Sequence, residues 1–472
     1  MFLSSGKPWM SAAALGLVAL AALPARADTL EGALIEAYRN NPSLNSQRAA
    51  VRVIDENVSQ AVAGYRPKIT ATVTGGEQTL STTTRTPPVP PSTSPTYSTL
   101  AGYNSPLAVG GTISQTLFNG FQTANKTRQA ESQVLAARAT LKNTEQTVLL
   151  SAATAYMNLL RDAAILDLQR RNVEVLQEQL RQTRDRFNVG EVTRTDVAQA
   201  ESRLAAGRSQ VLTAEANYKA SVATYRQVIG VNPGHLAAGT PVDRFSPNDL
   251  NGALGLAIST HPQVTLAEFN VDAAIEAVKV AEGALYPTLS VQGSVQQNWL
   301  STQSLSVMNS YNASLLGTLS IPIYQNGSEY SLIRQAKETL GQKRLDLDTA
   351  RDQVRQTVVQ SWGQLEAAKA NIEATQAQVQ AAEIALNGVR EEARVGQRTT
   401  LDVLNAQQEL VNARVSLVTA QRDRVVASYT LLAAVGRLTP EVLGLRVPIY
   451  EPRVHYHQIR DSWAGVRIPD GR

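Results

Sequence analysis

The chain has no cysteine among its 472 residues, which excludes disulfide bonds, thiolate nucleophiles, cysteine metal ligands and a lipid on an N-terminal cysteine. Aromatic residues make up only 5%, which favours long helices packed through small side chains over one large globular core. The net charge of +4 comes from intermixed acidic and basic residues without a basic cluster, so no nucleic-acid partner is expected. Beyond residue 27 no apolar run reaches the length of a helical membrane span.

The first 27 residues have the pattern of a secretory signal peptide. Lys7 provides a weakly positive start, and the apolar stretch from Ser11 to Leu23 is too short to span a bilayer. Ala25-Arg26-Ala27 then forms a small-x-small cleavage site. This pattern predicts that the protein is exported from the cytoplasm.

The rest of the chain is an internal tandem repeat. The segment LEGALIEAYRNNPSLNSQ from Leu30 is echoed by LNGALGLAISTHPQVTLAE from Leu250, at an offset of 220 residues. A later pair of segments, which begin at Phe187 and Ala393, matches at an offset of 206. We therefore predict repeat 1 over 28–247, repeat 2 over 248–440, and a tail over 441–472 that forms a strap around the helices. A duplication of this size indicates a pseudo-symmetric scaffold rather than an asymmetric catalytic cleft.

Alternating polar and apolar residues predict one β-hairpin in each repeat, over about 67–118 and about 287–323. Their strands are long enough to cross a bilayer when tilted, whereas the proline-rich stretch from Thr84 to Pro106 predicts a surface loop. Four such strands do not close a barrel, and open strand edges are not tolerated in lipid. Two chains would give eight strands and three would give twelve, and strand counting leaves both open.

Long helices are predicted between the strands. The absence of glycine and proline over 121–189 predicts a helix of about 100 Å, which returns over 192–230. Repeat 2 predicts the matching pair over 328–395 and 398–436. Their apolar residues follow a narrow heptad stripe, which is typical of helices that pack against one neighbour and leave the other face in water.

Several ordered motifs in both repeats resemble the TolC family of outer-membrane channels. They are TAYMNLLRD from Thr154, RFNVGEVTRTDVAQAESRL from Arg186 and VGQRTTLDVLNAQQEL from Val395, within a match that covers essentially Leu30 to Pro440. The resemblance implies an α+β membrane protein. In it, a homotrimer forms a twelve-stranded transmembrane β-barrel, with four strands per chain, continuous with a twelve-helix α-barrel in the periplasm.

The resemblance also implies a function and partners. Channels of this family are passive exit ducts of tripartite efflux pumps or type I secretion systems, located in the outer membrane and extending into the periplasm. The expected partners are outer-membrane lipid, a periplasmic adaptor (a membrane fusion protein) and an inner-membrane transporter. The adaptor and transporter would open the duct at its periplasmic helix tips.

The helix tips carry the candidate site residues. Gly190 and Gly396 are predicted to end helices in the left-handed conformation. The resemblance adds that Val189-Gly190 and Val395-Gly396 form the grooves where the adaptor docks. Both roles are compatible at the same residues.

Two aspartates follow these glycines, and each has two interpretations. Asp196 and Asp402 lie where a carboxylate stabilises the start of a returning helix. The resemblance instead assigns Asp402 to a ring that narrows the pore and attracts cations. One helical turn on, Asn405 stands where a second aspartate is expected, which predicts a neutral ring and weaker block by cations.

The resemblance also assigns a gate lock. Arg398 matches an arginine that holds the closed state, with Thr195 and Asp196 as its expected partners here. A companion tyrosine is absent because Ala393 occupies its position. This difference predicts fewer closed-state bonds and a gate biased toward opening.

Catalytic and cofactor motifs are not apparent in the sequence. There is no nucleophile elbow, phosphate-binding loop or HExxH motif, so no enzyme activity and no cofactor are expected. His455 and His457 alternate in the tail, which favours a surface strand or strap over a metal site. The rival interpretation is a periplasmic coiled-coil structural or adaptor protein, which would not need four strands of bilayer length.

Overall fold

A computed structural model describes residues 29–302 and 305–469 of the chain. The predicted signal peptide over 1–27 lies outside the described residues. Among those described, no helix is both long and apolar enough to cross a membrane. The helices have the following bounds: α1 Leu30–Asn40, α2 Pro42–Val62, α3 Gln122–Asn188, α4 Arg194–Ile229, α5 Leu250–Thr260, α6 Pro262–Glu282, α7 Ser328–Arg394, α8 Thr400–Ala434, α9 Pro440–Leu443 and α10 Pro452–Ile459.

Two long antiparallel helix hairpins dominate the structure. Helices α3 and α7 each contain 67 residues, which corresponds to about 100 Å at 1.5 Å per residue. Helix α4 returns along α3, and α8 returns along α7. The absence of glycine and proline from α3 removes the two residue types that most often interrupt a helix.

The repeat is visible in the short helices that precede each hairpin. Asn41 lies between α1 and α2, and its side chain accepts hydrogen bonds from the N–H groups of Ser43 and Leu44. His261 lies between α5 and α6, and its Nδ1 accepts one from the Gln263 N–H at 3.1 Å. Burial lowers the pKa of His261, which keeps the imidazole neutral and able to accept this bond.

The strands form one antiparallel sheet that joins the two repeats. Strand β4 pairs with β1 on one side and with β5 on the other, and β5 also pairs with β6. The central β4–β5 ladder therefore connects repeat 1 to repeat 2. The strand bounds are β1 Lys68–Gly75, β2 Gln78–Thr86, β3 Thr96–Asn104, β4 Leu107–Asn119, β5 Thr288–Thr302 and β6 Leu305–Ser320.

The prediction of a surface loop from Thr84 to Pro106 is wrong for much of that stretch. Strands β2 and β3 pair continuously from Thr86–Thr96 to Gln78–Asn104 and extend the first hairpin. Their threonines are β-branched and favour strand, so only the proline-rich centre of the stretch is a loop. The first hairpin is interrupted at Gly76, whose N–H donates to the Pro106 carbonyl at 3.2 Å. If β1 and β2 are counted as one interrupted strand, and β3 and β4 as another, each chain supplies four long strands.

The sheet has one apolar face and one polar face. Because successive side chains point to opposite faces, the register places like residues in rows across β1, β4, β5 and β6. Two rows of the apolar face are Ile69, Ile113, Gly293 and Leu315, then Ala71, Gly111, Val295 and Ala313. The row between them on the opposite face is Thr70, Thr112, Ser294 and Ser314.

The main hydrophobic core lies where α1 packs against α3, α4 and α8. It buries large side chains from all four helices, including Leu34, Tyr156, Ile229 and Leu432. Tyr156 Oη donates to the Ala237 carbonyl at 2.6 Å, which satisfies its polar group inside the core. The core fixes both hairpins at mid-height, and the helix tips extend away from it.

The tail contains a helix where a surface strand or strap was expected around His455. Helix α10 packs on α2, and its first turn is capped by Glu451, which accepts from the Arg453 N–H. His455 lies on the buried face of α10, beside Asp55 of α2. The alternation of His455 and His457 thus places one ring in the core and the other in solvent.

Candidate functional site at the helix tips

Both helix tips turn through the same backbone motif. Gly190 has φ +82°, its N–H donates to the Phe187 carbonyl at 3.0 Å, and the Glu191 N–H donates to the Arg186 carbonyl at 2.9 Å. This pair of bonds is a Schellman motif, which requires a left-handed residue best supplied by glycine. The same motif closes α7 around Gly396, with φ +81°. The structure therefore supports the capping role of both glycines.

An exposed valine precedes each glycine. Val189 and Val395 are 77% and 70% exposed. A β-carbon built on Gly190 or Gly396 would have no atom within 4 Å, so the backbone there is open as well. The four residues predicted to bind an adaptor thus form two accessible turns.

Each returning helix begins with a capping box. Thr193 Oγ1 accepts from the Asp196 N–H at 3.3 Å, and Asp196 Oδ2 accepts from the Thr193 N–H at 2.8 Å. Thr399 and Asp402 form the same reciprocal pair at 3.2 and 3.0 Å. Each box satisfies two backbone groups that the start of a helix would otherwise leave unpaired.

These hydrogen bonds also affect the two carboxylates. The Thr193 hydroxyl and N–H lower the pKa of Asp196, and the Thr399 N–H and hydroxyl lower that of Asp402. Both groups are therefore ionised at neutral pH. Both carboxylates thus stabilise the start of a returning helix, which is one of the two interpretations given for them above.

Each tip has an ion pair between the helix end and the turn, and the acidic and basic residues exchange places between the two tips. In repeat 1, Arg186 of α3 pairs with Glu191 of the turn at 2.5 Å. In repeat 2, the position equivalent to Arg186 is Glu392, which pairs with Arg398 of the turn at 2.9 Å. Sequence reasoning missed Glu392 as a partner, although comparison of the repeats at an offset of 206 shows the exchange of Arg for Glu.

The residues predicted as a gate lock do not come together within one chain. Arg398 bonds to Glu392, and the described residues show no hydrogen bond or ion pair from it to Thr195 or Asp196. Thr195 is exposed in the first turn of α4. The described part of one chain therefore does not contain a lock made of these three residues. Ala393 packs beside Val403 in an apolar cluster.

Helix α8 ties the tip of repeat 2 to repeat 1. Asn405 Oδ1 accepts a hydrogen bond from Arg203 Nη2 of α4 at 2.7 Å. Directly beside it, Leu404 is buried against Leu176 and Leu204. The predicted neutral position at Asn405 thus lies next to a positive charge, which the sequence did not reveal because Arg203 belongs to the other repeat.

A charged groove of about 600 Å³ separates the tips of α3 and α7. The walls combine acidic and basic side chains of α3 and α7 with Thr400 and Val403 of α8. Hydrogen bonds from Arg181 and Gln182 lower the pKa of one wall residue, Glu178, to about 2. The main charged groups are Glu174, Glu178, Arg186, Arg390, Glu391 and Arg394.

Metal-binding chemistry has no evident location in the part of the chain that the structure describes. No three His, Asp or Glu side chains there form a group that could hold a metal ion. The buried His455 meets one carboxylate, that of Asp55, and is used in packing the tail.

Comparison with known proteins agrees with this geometry. The sequence family described as outer membrane efflux protein matches residues 33–231 and 253–437, one segment in each repeat. The outer membrane efflux protein BepC of Brucella suis is 43% identical over 449 residues, which is 95% of this chain and 94% of that protein. The outer membrane protein TolC of Escherichia coli is 29% identical over 327 residues, or 66% of each chain.

A solved structure shows the same fold. The outer membrane protein VceC of Vibrio cholerae superposes with a TM-score of 0.71 at 19% identity, over 86% of this chain and 96% of that one. The predicted fold class, with an internal repeat and both strands and long helices, is confirmed. The protein is an exit duct of the outer membrane that extends into the periplasm. The chain belongs to the outer membrane efflux protein family.

Proposed function

We propose that three copies of this chain assemble into one closed duct, in which the apolar sheet face meets lipid and the polar face lines the lumen. The observation that carries this proposal is the two-faced sheet with unpaired outer edges on β1 and β6 among the described residues. Edges of this kind are not tolerated in lipid, so each must pair with a neighbouring copy. Strand direction alternates from β1 through β4 and β5 to β6, so β6 of one copy can pair antiparallel with β1 of the next.

Three copies give twelve strands and twelve long helices, the number that the family resemblance implies. The two hairpins of each chain then supply neighbouring sectors of a helical barrel. Nothing in the chain resembles a nucleotide site, so energy for export comes from a transporter in the inner membrane, and the duct itself is passive and has no enzyme activity.

The adaptor binds at the helix tips in this proposal. Val189 and Val395 offer exposed apolar side chains, and Gly190 and Gly396 keep the adjacent backbone accessible. The charged groove between α3 and α7 lies beside both turns and gives a docking segment polar partners. The mixed signs of its walls favour an adaptor tip that is itself mixed in charge.

The closed end narrows at the same level. Three Asp402 carboxylates around one axis would attract cations, because like charges held close together favour counter-ions. The ring at Asn405 carries no charge of its own, and the hydrogen bond from Arg203 adds a positive group beside it. Block by multivalent cations is therefore weaker than in a channel with two acidic rings.

Single-channel conductance in planar bilayers tests the duct and its constriction. Asn405→Asp should increase block by a trivalent cation, and Arg203→Gln with Asn405→Asp should increase it further, because Arg203 no longer neutralises the new carboxylate. Glu201→Gln is the matched control, since Glu201 lies on α4 like Arg203 but pairs with Arg184 of α3. Absence of channels from the purified trimer would contradict the duct, and equal block in all variants would contradict only the constriction.

Cysteine crosslinking tests the docking site, because the chain has no cysteine of its own. Val189→Cys and Val395→Cys, treated in cells with a short crosslinker, should capture a periplasmic adaptor that mass spectrometry then identifies. Leu212→Cys on α4 is the matched control, since its side chain is as exposed but lies far from the turns. Capture from Leu212→Cys alone would contradict docking at the tips.

A further inference from the structure

Exposed aromatic side chains mark every junction between a strand and a helix. Tyr65 precedes β1, Phe121 follows β4, Tyr286 precedes β5 and Tyr324 follows β6, each within four residues of the strand end. Aromatic rings on membrane barrels concentrate where hydrocarbon meets water. These four residues, which we call the junction aromatics, therefore mark the periplasmic boundary of the membrane.

Phe121 occupies its position despite backbone strain. Its φ is +62°, whereas the equivalent residue in repeat 2 is Gly327 with φ +77°. A bulky residue in this region is unfavourable, and such strain persists where the surroundings or the function require it. The Phe121 ring meets Phe118 edge to face at 5.3 Å and is otherwise exposed, so packing inside this chain does not account for it.

The C-terminal tail reaches the same boundary. Beyond α10, the Ser462 carbonyl accepts a hydrogen bond from Arg66 Nη1, and the Arg66 guanidinium lies 5.0 Å from the centre of the Trp463 ring. Arg66 stands two residues before Lys68, the first residue of β1. The tail therefore runs along α2 and reaches the base of the sheet. There Trp463 is held by a cation–π contact with Arg66.

The side chains around Trp463 have no cover within the described residues. Trp463 is 72% exposed, Ile468 is 77% exposed and Val466 is fully exposed. Arg460 precedes this apolar trio and lies 4.0 Å from Glu131, and Arg467 stands between Val466 and Ile468. One acidic residue, Asp461, belongs to the same segment, and Arg66 and Lys68 add positive charge from the base of β1, so the charge around the trio is net positive. The segment thus combines a tryptophan, two aliphatic side chains and a basic margin, the composition of segments that lie in a membrane interface.

We propose that residues 460–468 anchor the chain in the periplasmic leaflet of the outer membrane. Trp463, Val466 and Ile468 insert at the level of the junction aromatics, and Arg467 and Lys68 contact anionic phospholipid headgroups. Two observations favour lipid as the occupant: the contacts of Arg66 with Ser462 and Trp463 hold the segment at the base of β1, where the junction aromatics lie, and its net positive charge complements a negative surface. The proposal relies on the location of the sheet in the bilayer.

Tryptophan quenching by brominated phospholipid tests this anchor in the intact trimer. Phenylalanine replaces Trp299 and Trp362, and cleavage of the predicted signal peptide removes Trp9, so that Trp463 is the sole tryptophan. The trimer is placed in vesicles of phosphatidylethanolamine and phosphatidylglycerol, with and without bromine on the acyl chains. A second variant has Leu315→Trp on the apolar sheet face and Trp463→Phe, and it reports membrane insertion alone. We expect bromolipid to quench both emitters.

The outcomes separate the tail from the duct. Quenching of Leu315→Trp without quenching of Trp463 overturns the anchor and leaves the duct intact, as when a neighbouring copy covers the tail instead. Absence of quenching at both positions overturns the membrane location of the sheet and the anchor together. Arg66→Gln should reduce quenching of Trp463 while that of Leu315→Trp stays unchanged, and equal quenching in its presence would overturn the positioning role of Arg66.

Discussion

His455 Nδ1 lies 3.0 Å from Asp55 Oδ2, and the two side chains are only 3% and 0% exposed. This contact joins residues 400 positions apart and fastens the tail helix α10 to α2. Arg138 of α3 lies 4.0 Å from the other carboxylate oxygen and 5.3 Å from the centre of the Tyr456 ring. Burial raises the pKa of Asp55, although the hydrogen bond with His455 and the positive charge of Arg138 oppose that shift.

Removal of one partner from this buried pair should destabilise the protein strongly. His455→Ala leaves the Asp55 carboxylate without its main partner in an apolar site, a change that typically costs about 3–5 kcal/mol. His457→Ala is the matched control on the same helix, because His457 is exposed and should change the free energy of unfolding by less than about 0.5 kcal/mol. Denaturant unfolding of both variants measures the difference. Equal midpoints would show that the tail is not fastened here.

The junction between β4 and α3 allows a second prediction, about glycine. A β-carbon on Gly120 would lie 2.3 Å from the Gly283 carbonyl oxygen and 2.7 Å from the β-carbon of Tyr286, and φ at Gly120 is +63°. Gly120→Ala should therefore cost about 2–4 kcal/mol, because backbone must move and the conformation is strained. Gly327→Ala, with φ +77° and no atom within 4 Å, should cost only about 1–2 kcal/mol.

Thermal unfolding in matched detergent compares these two variants. A larger loss for Gly120→Ala indicates that the repeats approach each other closely at the strand base. Losses of the same size would mean that only the backbone angle matters and that the close contact with Gly283 relaxes without cost.

Much of the fold could be predicted from local sequence patterns. Alternation around Ile69 and Ile113 predicted strands with two unlike faces, because period two is a property of any strand. The threonines of β2 were misjudged because nearby prolines dominated the local signal. The contact between His455 and Asp55 lies beyond any local pattern, since it depends on how α10 meets α2.

Less of the candidate site at the helix tips than of the fold could be predicted from the sequence. Capping by Gly190 and Asp402 follows from short-range rules, and the structure shows both. The Arg398–Glu392 pair was missed because it spans a turn, where the spacing of helical ion pairs does not apply. The Arg203–Asn405 contact joins the two repeats and needed the packed structure.

A pH dependence is expected at the helix tips. The folded pKa of Asp402 lies below its unfolded value, so its contribution to stability is complete above the unfolded value, about 4, and is lost as pH falls through the folded value. The tip of α8 should therefore loosen in acid. A spin label on Gln397→Cys, an exposed turn residue in a chain without cysteine, reports this as increased mobility between pH 7 and pH 3.

Two variants separate capping from other effects of acid. Asp402→Asn keeps an oxygen that accepts from the Thr399 N–H but cannot titrate, so label mobility should stay level with pH. Thr399→Ala removes the hydroxyl that caps the helix and should give a mobile label at every pH. Equal pH responses in wild type and Asp402→Asn would rule out Asp402 as the titrating group.

The proposed role of Arg398 in the gate lock can be tested separately from its ion pair with Glu392 of the same chain. Glu392 raises the pKa of Arg398 and holds its guanidinium at 2.9 Å, but both groups are exposed, and exposed pairs contribute little to stability. If Arg398 holds the closed state through Thr195 and Asp196 of a neighbouring copy, its loss matters far more than the loss of Glu392. We therefore expect Arg398→Ser to raise the open probability several-fold, and Glu392→Gln to change it little.

Single-channel recordings of four single variants and one double variant decide between these contacts. Arg398→Ser and Asp196→Asn should increase opening to a similar extent, and their combination should add nothing further, because both remove the same contact between copies. Arg186→Ser is the matched control, since it breaks the equivalent pair of repeat 1 with Glu191 and leaves Arg398 in place. If Glu392→Gln opens the channel as much as Arg398→Ser does, the ion pair within the chain is the lock, and the assignment to Thr195 and Asp196 is wrong.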